Sequence, residues 1–420
     1  MKRYDTYKDS GVQWLGEIPG HWECTSLGRV LCEKLQYGAS ESGDLEYTND
    51  SMRYIRITDI TLDGKLKKDC CKYLSSEIGK NYPVRKGDVL LARSGATVGK
   101  ALIYNEDNEA CYAGYLIKAS IQQDKVIPTF FFYFTQTSQY DEWKNRIFIQ
   151  ATIQNISAEK YTRMKLCIPP LSEQRSIVSF LDAKCGKIDE WVTKKQKEVE
   201  HLQELKQRVI ADAVTRGLNP HVKMKATNIP WLKEIPEHWG CMFINRLFNI
   251  KAGGDVKPEL YADKKDENHP FPVYTNTKSA DDVYAYTSLA TCPSNSITVT
   301  GRGEVGHAFF RETPYDAIVR LLSLTPKSNI ICKFYAYFID TVIPFSSDSA
   351  AIGQLSAVQI KQKHVILPPL SEQKQIVSYL DAKCSKIDKL IANITKEIEC
   401  IKEYKQRLIS DVVTGQIKVC

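Results

Sequence analysis

Long apolar runs are missing from this sequence of 420 residues. The densest run, at positions 130–134, has five residues, whereas a helix needs about 20 to cross a bilayer. The first residues, Met1 to Asp5, carry none of the apolar character of a secretory signal. These absences predict a cytoplasmic protein that makes no contact with a membrane.

Paired metal and redox motifs are missing too. None of the 13 cysteines stands in a Cys-x-x-Cys spacing, and the seven histidines include no His-Glu-x-x-His. We therefore predict no metal site and expect the cysteines to be reduced thiols. A hydrophobic fraction of 43% and a charged fraction of 25% also exclude collagen-like, wholly disordered and disulfide-scaffold proteins.

Strong charge of either sign is absent as well. The formal net charge is +7, which is mildly basic for a chain of this length. Such a balance permits an acidic partner such as nucleic acid but does not require one. The length by itself predicts two or three domains.

What the sequence does contain is an internal repeat, present in two separate blocks. VQWLGEIPGHWEC at 12–24 returns as IPWLKEIPEHWGC at 229–241, and PPLSEQRSIVSFLDAKCGKID at 169–189 returns as PPLSEQKQIVSYLDAKCSKID at 368–388. The segments between the blocks look little alike, and the second is 18 residues shorter. The chain is therefore a shared frame with two different inserts. His21 and His238 lie inside the first repeated block, which favours a structural anchor over catalysis.

Each second block begins a long helix. Ser172 is the predicted N-cap of a helix that runs to Val214, and Gly217 and Gly415 are the predicted C-cap glycines. Apolar residues follow a heptad, which favours a coiled-coil seam. The first-copy seam contains Val178, Leu181, Cys185, Ile188, Val192, Val199, Leu202 and Val209, and the second-copy seam contains Val377, Leu380, Cys384, Ile387, Ile391, Ile394, Ile398, Ile401 and Leu408.

We expect the two long helices to pack on each other, and the globular segment between them allows an antiparallel pair. The alternative is two independent amphipathic helices, each on its own domain. Lys195, Lys206 and Lys405 interrupt the apolar seam. They mark either the approach of partner helices or lysines whose stems snorkel along an apolar surface.

The two inserts are typical of mixed, mostly β structure. Strands are predicted at 53–58, 88–93, 296–300 and 317–322, and a glycine-rich turn follows a strand in each insert, at 94–100 and 301–307. The second turn matches Gly-x-Gly-x-x-Gly but lacks a following helix. The first resembles a P-loop with one residue too few and Ala101 where Ser or Thr is needed. Tight β-turns are therefore favoured over nucleotide sites.

No arrangement of nucleophile and base can be defended from spacing, so the remaining chemistry is binding. Lysines of one loop suit DNA phosphates, and arginine and asparagine side chains pair with guanine and adenine edges. For each residue taken singly, a solvated surface position is the alternative. The DNA-binding candidates are Arg53, Arg56, Lys65, Lys67, Lys68, Lys72, Arg93, Lys100, Asn276, Lys278, Arg302, His307 and Arg311.

The repeated frame resembles the specificity subunits of type I restriction-modification systems. The resemblance rests on the duplicated Trp-Leu-x-Glu-Ile-Pro-x-His-Trp, on Pro-Pro-Leu-Ser-Glu-Gln, on Leu-Asp-x-Lys-x-x-Lys-Ile-Asp, and on the stretches at 53–60 and 87–95. It implies an α+β fold in which two mixed β-rich target recognition domains are joined by two long antiparallel coiled-coil helices, with a pseudo-two-fold repeat.

The resemblance also implies a function. Each recognition domain would read one half of a bipartite, asymmetric DNA target, while the helices set the spacing and dock two methyltransferase subunits. Two restriction and translocase subunits would join for cleavage. The chain itself would be non-catalytic and hold no cofactor, because S-adenosylmethionine, ATP and Mg²⁺ would belong to the partners. Base contacts do not transfer between recognition domains, so the target sequence stays open.

The predicted organisation has six parts. They are an N-terminal anchor at 1–24, a first recognition domain at 25–168, a central long helix at 169–218, a linker with the second anchor at 219–241, a second recognition domain at 242–367 and a C-terminal long helix at 368–420. Two other functions stay open at this point. One is a coiled-coil adaptor with two protein-binding heads, and the other is a nucleotide-dependent enzyme that uses the glycine-rich turns.

Overall fold

A computed structural model describes residues 2–43, 46–61, 63–67, 71–95, 97–149, 154–345 and 354–419. The chain divides into two compact units. The first unit contains residues 1–195 and 396–420, and the second contains residues 196–395. Each unit therefore combines one insert with a part of each long helix.

The first unit is built from short strands and helices that precede a long helix. Its strands are β1 (Tyr7–Asp9), β2 (Glu17–Pro19), β3 (Glu23–Ser26), β4 (Gln36–Tyr37), β5 (Ser51–Ile55), β6 (Lys72–Ser75), β7 (Pro83–Val84), β8 (Val89–Ala92), β9 (Ala101–Ile103), β10 (Ala110–Tyr112), β11 (Leu116–Ala119) and β12 (Lys165–Ile168). Its helices are α1 (Ser76–Gly79), α2 (Pro128–Phe134), α3 (Ser138–Ile149), α4 (Ala158–Arg163) and the start of α5 (Leu171–Arg216), with 3₁₀ turns at Leu27–Arg29 and Ile57–Asp59.

The second unit repeats this order. Its strands are β13 (Met224–Ile229), β14 (Leu232–Pro236), β15 (Gly240–Phe243), β16 (Phe248–Ala252), β17 (Tyr261–Ala262), β18 (Phe271–Tyr274), β19 (Ala285–Thr287), β20 (Ser296–Val299), β21 (Ala308–Arg311), β22 (Asp316–Ala317), β23 (Leu322–Pro326) and β24 (His364–Leu367). Its helices are α6 (Ile244–Leu247), α7 (Cys332–Val342), α8 (Ala357–Lys361) and the start of α9 (Leu370–Val413), with a 3₁₀ turn at Pro258–Leu260.

One sheet of each insert has the same strand order in both units although the insert sequences look unrelated, whereas the other sheets differ in strand order. One four-stranded sheet has the order β4-β11-β8-β9 in the first unit and β16-β23-β20-β21 in the second. The other has the order β6-β5-β10-β7 and β17-β19-β18-β22, with one parallel pair in each case. Each insert also enters and leaves the frame through one antiparallel pair of strands, β3 with β12 and β15 with β24.

The prediction of a single strand over 317–322 is wrong. β22 ends at Ala317 and β23 begins at Leu322, and the chain between them turns from one sheet to the other. Val319 and Arg320 have φ angles of 53° and 61° there. This left-handed conformation is incompatible with a strand and is uncommon for residues other than glycine. The predicted strand at 53–58 is also shorter than expected, because Ile57–Asp59 forms a 3₁₀ turn.

The predicted long helices are present. α5 has 46 residues and α9 has 44, and Gly217 and Gly415 follow their ends with φ angles of 75° and 76°. Ser172 is not the N-cap, because the helix already begins at Leu171. The carbonyl of Pro170 accepts the first amide bonds, from Glu173 and Gln174.

The long helices pack on each other inside each unit. In the first unit, Leu181 and Cys185 of α5 share a hydrophobic core with Leu408 and Val412 of α9. The second unit has the corresponding core, which joins Ile210, Ala213 and Val214 to Ile376, Leu380 and Cys384. Early residues of one helix therefore meet late residues of the other, which is an antiparallel arrangement.

All seam residues named from the heptad are buried or half-buried. The most buried position shifts by one residue toward the helix ends. There Ile177 and Ile376 are fully buried, while the neighbouring seam residues Val178 and Val377 are only half-buried. A straight helix has 3.6 residues per turn and slips against a repeat of 3.5. The strict heptad therefore holds in the middle of each helix better than at its ends.

The cysteine prediction needs one correction. Cys24 and Cys167 form a disulfide, because they face each other in the register of β3 and β12 with Cα atoms 4.2 Å apart. The equivalent pair in the second unit is Cys241 opposite Ile366, where no such bond can form. Among the described residues, none of the helices has the length and apolarity needed to cross a membrane.

Candidate nucleic-acid interface

The repeated histidine and tryptophan anchor each insert to the start of a long helix. His21 Nε2 lies 2.8 Å from Glu173 Oε2, and the fully buried Trp22 donates from Nε1 to Glu173 Oε1 at 3.1 Å. In the second unit, His238 and Trp239 make the same contacts with Glu372 at 2.6 and 3.0 Å. These contacts give both histidines the structural role that their repetition indicates.

The glutamine after each of these glutamates binds the main chain of the insert. Gln174 Oε1 accepts from Ile127 N at 2.8 Å, and Gln373 Oε1 accepts from Ile331 N at 3.0 Å. In both units the side-chain amide donates to a proline carbonyl just before the long helix. The Ser-Glu-Gln part of the repeat thus fixes the base of each recognition segment.

The two repeated aspartates have separate tasks. Asp182 accepts a hydrogen bond from Tyr133 at 2.6 Å, and Asp381 accepts one from Tyr337 at 2.8 Å. Both tyrosines belong to helices of the inserts. One heptad further along, Asp189 and Asp388 instead bind lysines of the opposite long helix. The repeated motif therefore uses one face of each long helix to bind both the insert and the opposite long helix.

The frame contacts leave the exposed turns of each insert as the candidate interface. The glycine-rich turns fall where the sequence predicts them, between β8 and β9 and between β20 and β21. Beside each lies the turn that links the two sheets. In the first unit, the amide of Arg93 donates to the carbonyl of Tyr115 at 3.0 Å. In the second unit, Gly301 lies so close to the sheet-linking turn that a Cβ atom added to it would be 2.8 Å from Arg320 O.

In the first unit, three candidate cations converge on the loop before β6. Lys100 Nζ donates to Ile60 O at 3.0 Å, and Arg53 donates to Lys67 O at 2.9 Å. Burial lowers the pKa of the Lys100 ammonium, and the nearby Lys67 lowers it further. Lys67 itself is exposed. Arg53 is also paired with Glu106 at 3.5 Å, so Lys67 and Lys100 are the cations of this loop that suit a phosphate group.

Other candidates of the first unit have partners within the chain. Arg56 forms a bidentate ion pair with Asp59, whose nearer atoms are 2.8 Å apart. Lys65 binds Asp63 and Asp189 at 3.1 Å, and these bonds raise the pKa of its ammonium although burial opposes them. Arg93 stacks on the ring of Tyr37 at 4.6 Å. Lys72 is half-buried on β6, and Lys68 lies outside the described residues.

In the second unit, Asn276 has a structural role. Its Oδ1 accepts from the amides of Gly301 and Arg302 at 2.7 and 3.2 Å, and its Nδ2 donates to Val319 O at 2.8 Å. The side chain thereby joins the glycine-rich turn to the sheet-linking turn. These bonds use both the oxygen and the nitrogen of the amide. The role of Asn276 in reading adenine stays a prediction.

Arg311 is buried rather than displayed. It is 5% exposed, it lies 3.5 Å above the ring of Tyr274, and it donates to Thr298 and to Ala280 O at 3.0 and 2.6 Å. Burial lowers the pKa of this guanidinium. Arg302 in the glycine-rich turn and Arg320 on the sheet-linking turn are exposed cations of this region.

The remaining candidates surround the same turn. Lys278 pairs with Glu304, and the hydrogen bond between them lowers the pKa of the Glu304 carboxyl. His307 Nδ1 lies 3.3 Å from Asp340. Sequence reasoning missed Tyr115 and Arg320, which occupy equivalent exposed positions. Gly114 is a residue type that indicates the first turn, whereas neither Val319 nor Arg320 is of a type that indicates a turn.

The described residues contain no cluster of three or more His, Cys, Asp or Glu side chains arranged to hold a metal ion. What the geometry defines is a pair of related modules, each displaying two adjacent turns and held by the same histidine, tryptophan and glutamine contacts with the frame. Such an arrangement is typical of a binding protein with two heads.

Comparison with protein families gives this class a precise identity. Residues 19–201 and 236–400 match the type I restriction modification DNA specificity domain, so most of the chain is covered in two copies. The chain belongs to this family. The two matches follow the two repeats of the frame.

Individual relatives agree with the family match. The chain is 26% identical to the MjaX specificity subunit of Methanocaldococcus jannaschii over 427 residues, which covers 96% of both chains. It is 23% identical to the type I restriction enzyme EcoBI specificity subunit of Escherichia coli, covering 90% of this chain and 83% of that one. A solved structure from a study of complex assembly and conformational transition of a type I R-M system has the same fold, with a TM-score of 0.73 at 16% identity, covering 95% of this chain and 99% of that chain.

Proposed function

We propose that this chain is the DNA-recognition subunit of a type I restriction-modification complex, and that each unit reads one half of a bipartite, asymmetric target. The observation that carries the proposal is the contrast between frame and turns. Both units contain one sheet of the same strand order and the same histidine, tryptophan and glutamine anchor contacts, while the residues on their exposed turns differ. Two different readers on equivalent supports suit a target whose halves differ.

The chain supplies recognition, and its partners supply chemistry. In this proposal two methyltransferase subunits dock on the chain, and two restriction and translocase subunits join them for cleavage. S-adenosylmethionine, ATP and Mg²⁺ belong to those partners. The long helices set the distance between the half-sites, since each of them contributes to both units.

Lys67, Lys100, Arg302 and Arg320 are the side chains that we assign to DNA contact in this proposal. Lysines near the backbone contribute affinity without sequence preference, whereas an arginine on an exposed turn can form two hydrogen bonds with guanine. Buried or fully paired candidates such as Arg311 and Arg56 act instead by shaping the turns.

A segment exchange tests the proposal. Residues 25–150 are replaced by the equivalent segment of a related protein, and the methylated sequence is mapped in cells that contain the methyltransferase partner. We expect one half-site to change while the other half-site and the methylation itself persist. A simultaneous change of both half-sites would show that the two inserts form one composite reader.

The alternative of a protein-binding adaptor predicts a different result in a second experiment. The purified chain with its methyltransferase retards target DNA at low salt if it is a DNA reader, and the affinity falls steeply as salt rises. An adaptor retains no DNA at any salt concentration.

A further inference from the structure

The carboxylate that begins each long helix is closed off in one unit and open in the other. In the first unit, the hydroxyl of Tyr4 donates to Glu173 Oε1, which also accepts from Trp22. The Tyr4 ring lies 5.6 Å from the His21 ring and 6.1 Å from the Trp22 ring, measured between centroids. Tyr4 is 8% exposed and the Glu173 side chain 9%. The N-terminal segment therefore completes this site.

In the second unit the same site has one donor fewer. Among the described residues, Glu372 accepts side-chain hydrogen bonds from His238 and Trp239 only, and its side chain is 33% exposed. Tyr7 pairs with Pro19 in the first unit, and Met224 pairs with the equivalent Pro236 in the second. His221 precedes Met224 by three residues, as Tyr4 precedes Tyr7, so it is the residue equivalent to Tyr4. His221 is exposed and does not line the site.

The second unit has a cavity beside Glu372, whereas the first unit has Tyr4 beside Glu173. A half-open cavity of about 330 Å³ lies beside Glu372 at the end of α5. Leu218, Val222 and Ile376 give it an apolar wall, and Asn219, His238 and Gln375 give it a polar one. This volume is at the small end of ligand pockets. An apolar wall with an acceptor at one end suits an aromatic ring that carries a hydroxyl.

We infer that this cavity binds a tyrosine side chain presented by a segment of a methyltransferase subunit, whose hydroxyl donates to Glu372 as Tyr4 donates to Glu173. The inference rests on the proposed function for the identity of the partner. The chain itself contains the template for the contact, in a site with the same carboxylate, tryptophan and histidine.

A second copy of this chain is a poorer occupant. Its only equivalent tyrosine, Tyr4, is already held by its own Glu173, and a β-bridge between Lys2 and Lys418 ties down the same N-terminal segment. Withdrawal of Tyr4 would expose the aromatic contacts of the first anchor. A partner that brings its own tyrosine avoids this loss.

A peptide titration tests the chemistry of the cavity. The full chain is titrated calorimetrically with the peptide Lys-Arg-Tyr-Asp-Thr-Tyr-Lys-Asp, which copies residues 2–9, and with a version carrying phenylalanine in place of its first tyrosine. We expect one binding site and about tenfold weaker binding of the phenylalanine peptide, because a hydrogen bond to a carboxylate is lost. Gln375→Trp fills the cavity and should abolish binding, whereas Asp212→Asn changes an exposed carboxylate of α5 outside the cavity and should leave binding intact. Absence of peptide binding, or equal binding by the Gln375→Trp chain, overturns the inference.

Assembly with the methyltransferase tests the partner. In native mass spectrometry we expect the wild-type chain to carry two methyltransferase subunits and the Glu372→Gln and Gln375→Trp chains to carry mainly one, with Asp212→Asn as the control. Two outcomes would overturn the assignment of the partner. In one, the two cavity variants retain both methyltransferase subunits with unchanged affinity. In the other, these variants lose the ability to form a dimer of this chain and not a methyltransferase subunit. If the wild-type chain binds no methyltransferase at all, the proposed function fails, and the peptide titration still reports separately on the cavity.

Discussion

Lys405 of α9 places its ammonium nitrogen 2.5 Å from Asp189 Oδ1 of α5. The second unit contains the same contact with the helices exchanged, because Lys206 of α5 binds Asp388 of α9 at 2.7 Å. Lys405 and Lys206 therefore form ion pairs inside the frame, which help to fix the register of the antiparallel helices. The approach of partner helices at these lysines stays a prediction.

Loss of these ion pairs should weaken the frame unequally. Asp189→Asn removes the partner of both Lys405 and Lys65, and Lys405 is 18% exposed, so we expect a loss of about 1 kcal/mol or slightly more. Asp388→Asn removes only Lys206 and should cost less. Urea unfolding of the purified chains measures both values. Asp212→Asn breaks an exposed pair 3.9 Å long and serves as the control, with little expected change. Equal effects of all three substitutions would contradict a register role.

The buried seam should not tolerate charge. Ile387 is 8% exposed, and Ile387→Asp would bury an unpaired carboxylate between the helices at a cost of several kcal/mol. Solubility and methyltransferase assembly should both fall. Leu390→Asp, three residues away and 51% exposed, makes the same kind of change outside the seam and should be tolerated. Similar behaviour of the two variants in size-exclusion chromatography would argue against a packed pair of helices.

Removal of one exposed cation from a candidate interface should change the salt dependence of DNA binding. Lys67→Ala removes one phosphate contact, so the slope of log affinity against log salt should become shallower by about 1, with the recognised sequence unchanged. Arg320→Ala should instead relax the preference at one half-site if the arginine pairs with a base. Lys86→Ala is the control, because that lysine is already paired with Asp107 at 2.8 Å. If Lys67→Ala and Arg320→Ala leave the salt slope and the sequence preference unchanged, as the control does, these turns are not part of the DNA interface.

Helix length should determine the gap between the half-sites. One heptad inserted after Glu190 and another after Lys389 fall between the two ion-paired residues of each helix, so both lysine–aspartate pairs are retained. Each helix becomes about 10.5 Å longer, which corresponds to roughly three base pairs of DNA. We expect methylation mapping to show a gap longer by about one to three base pairs with both half-sites unchanged.

A matched insertion separates length from register. Four residues at the same two places break the heptad and should abolish assembly. An active heptad variant with an unaltered gap would show that the spacing is set by something other than these helices.

The frame was largely predictable because its signals are local and repeated. Heptads, prolines and terminal glycines define α5 and α9 to within a few residues, and repetition marks His21 and His238 as anchors. The helix start at Leu171 was missed because the carbonyl of Pro170 performs the capping that Ser172 was expected to perform.

The inserts were less predictable because their contacts are non-local. The guanidinium of Arg311 and the amide of Asn276 form hydrogen bonds with residues distant in the sequence, and residue type alone could not reveal these bonds. The left-handed turn at Val319 and Arg320 is imposed by its place between two sheets. The strand order that one sheet of each insert shares is likewise invisible in their sequences, since it depends on strand pairing and not on particular side chains.

The paired strands at the base of each insert, β3 with β12 and β15 with β24, have an evolutionary consequence. Since the insert begins and ends at neighbouring points, residues can be added or removed within it without moving either attachment to the frame. The 18-residue difference in length between the two copies has left the anchor contacts of Trp22 and Trp239 equivalent. Whole inserts can therefore be exchanged between frames of this kind while the strand pairs and the anchor contacts at their base stay the same.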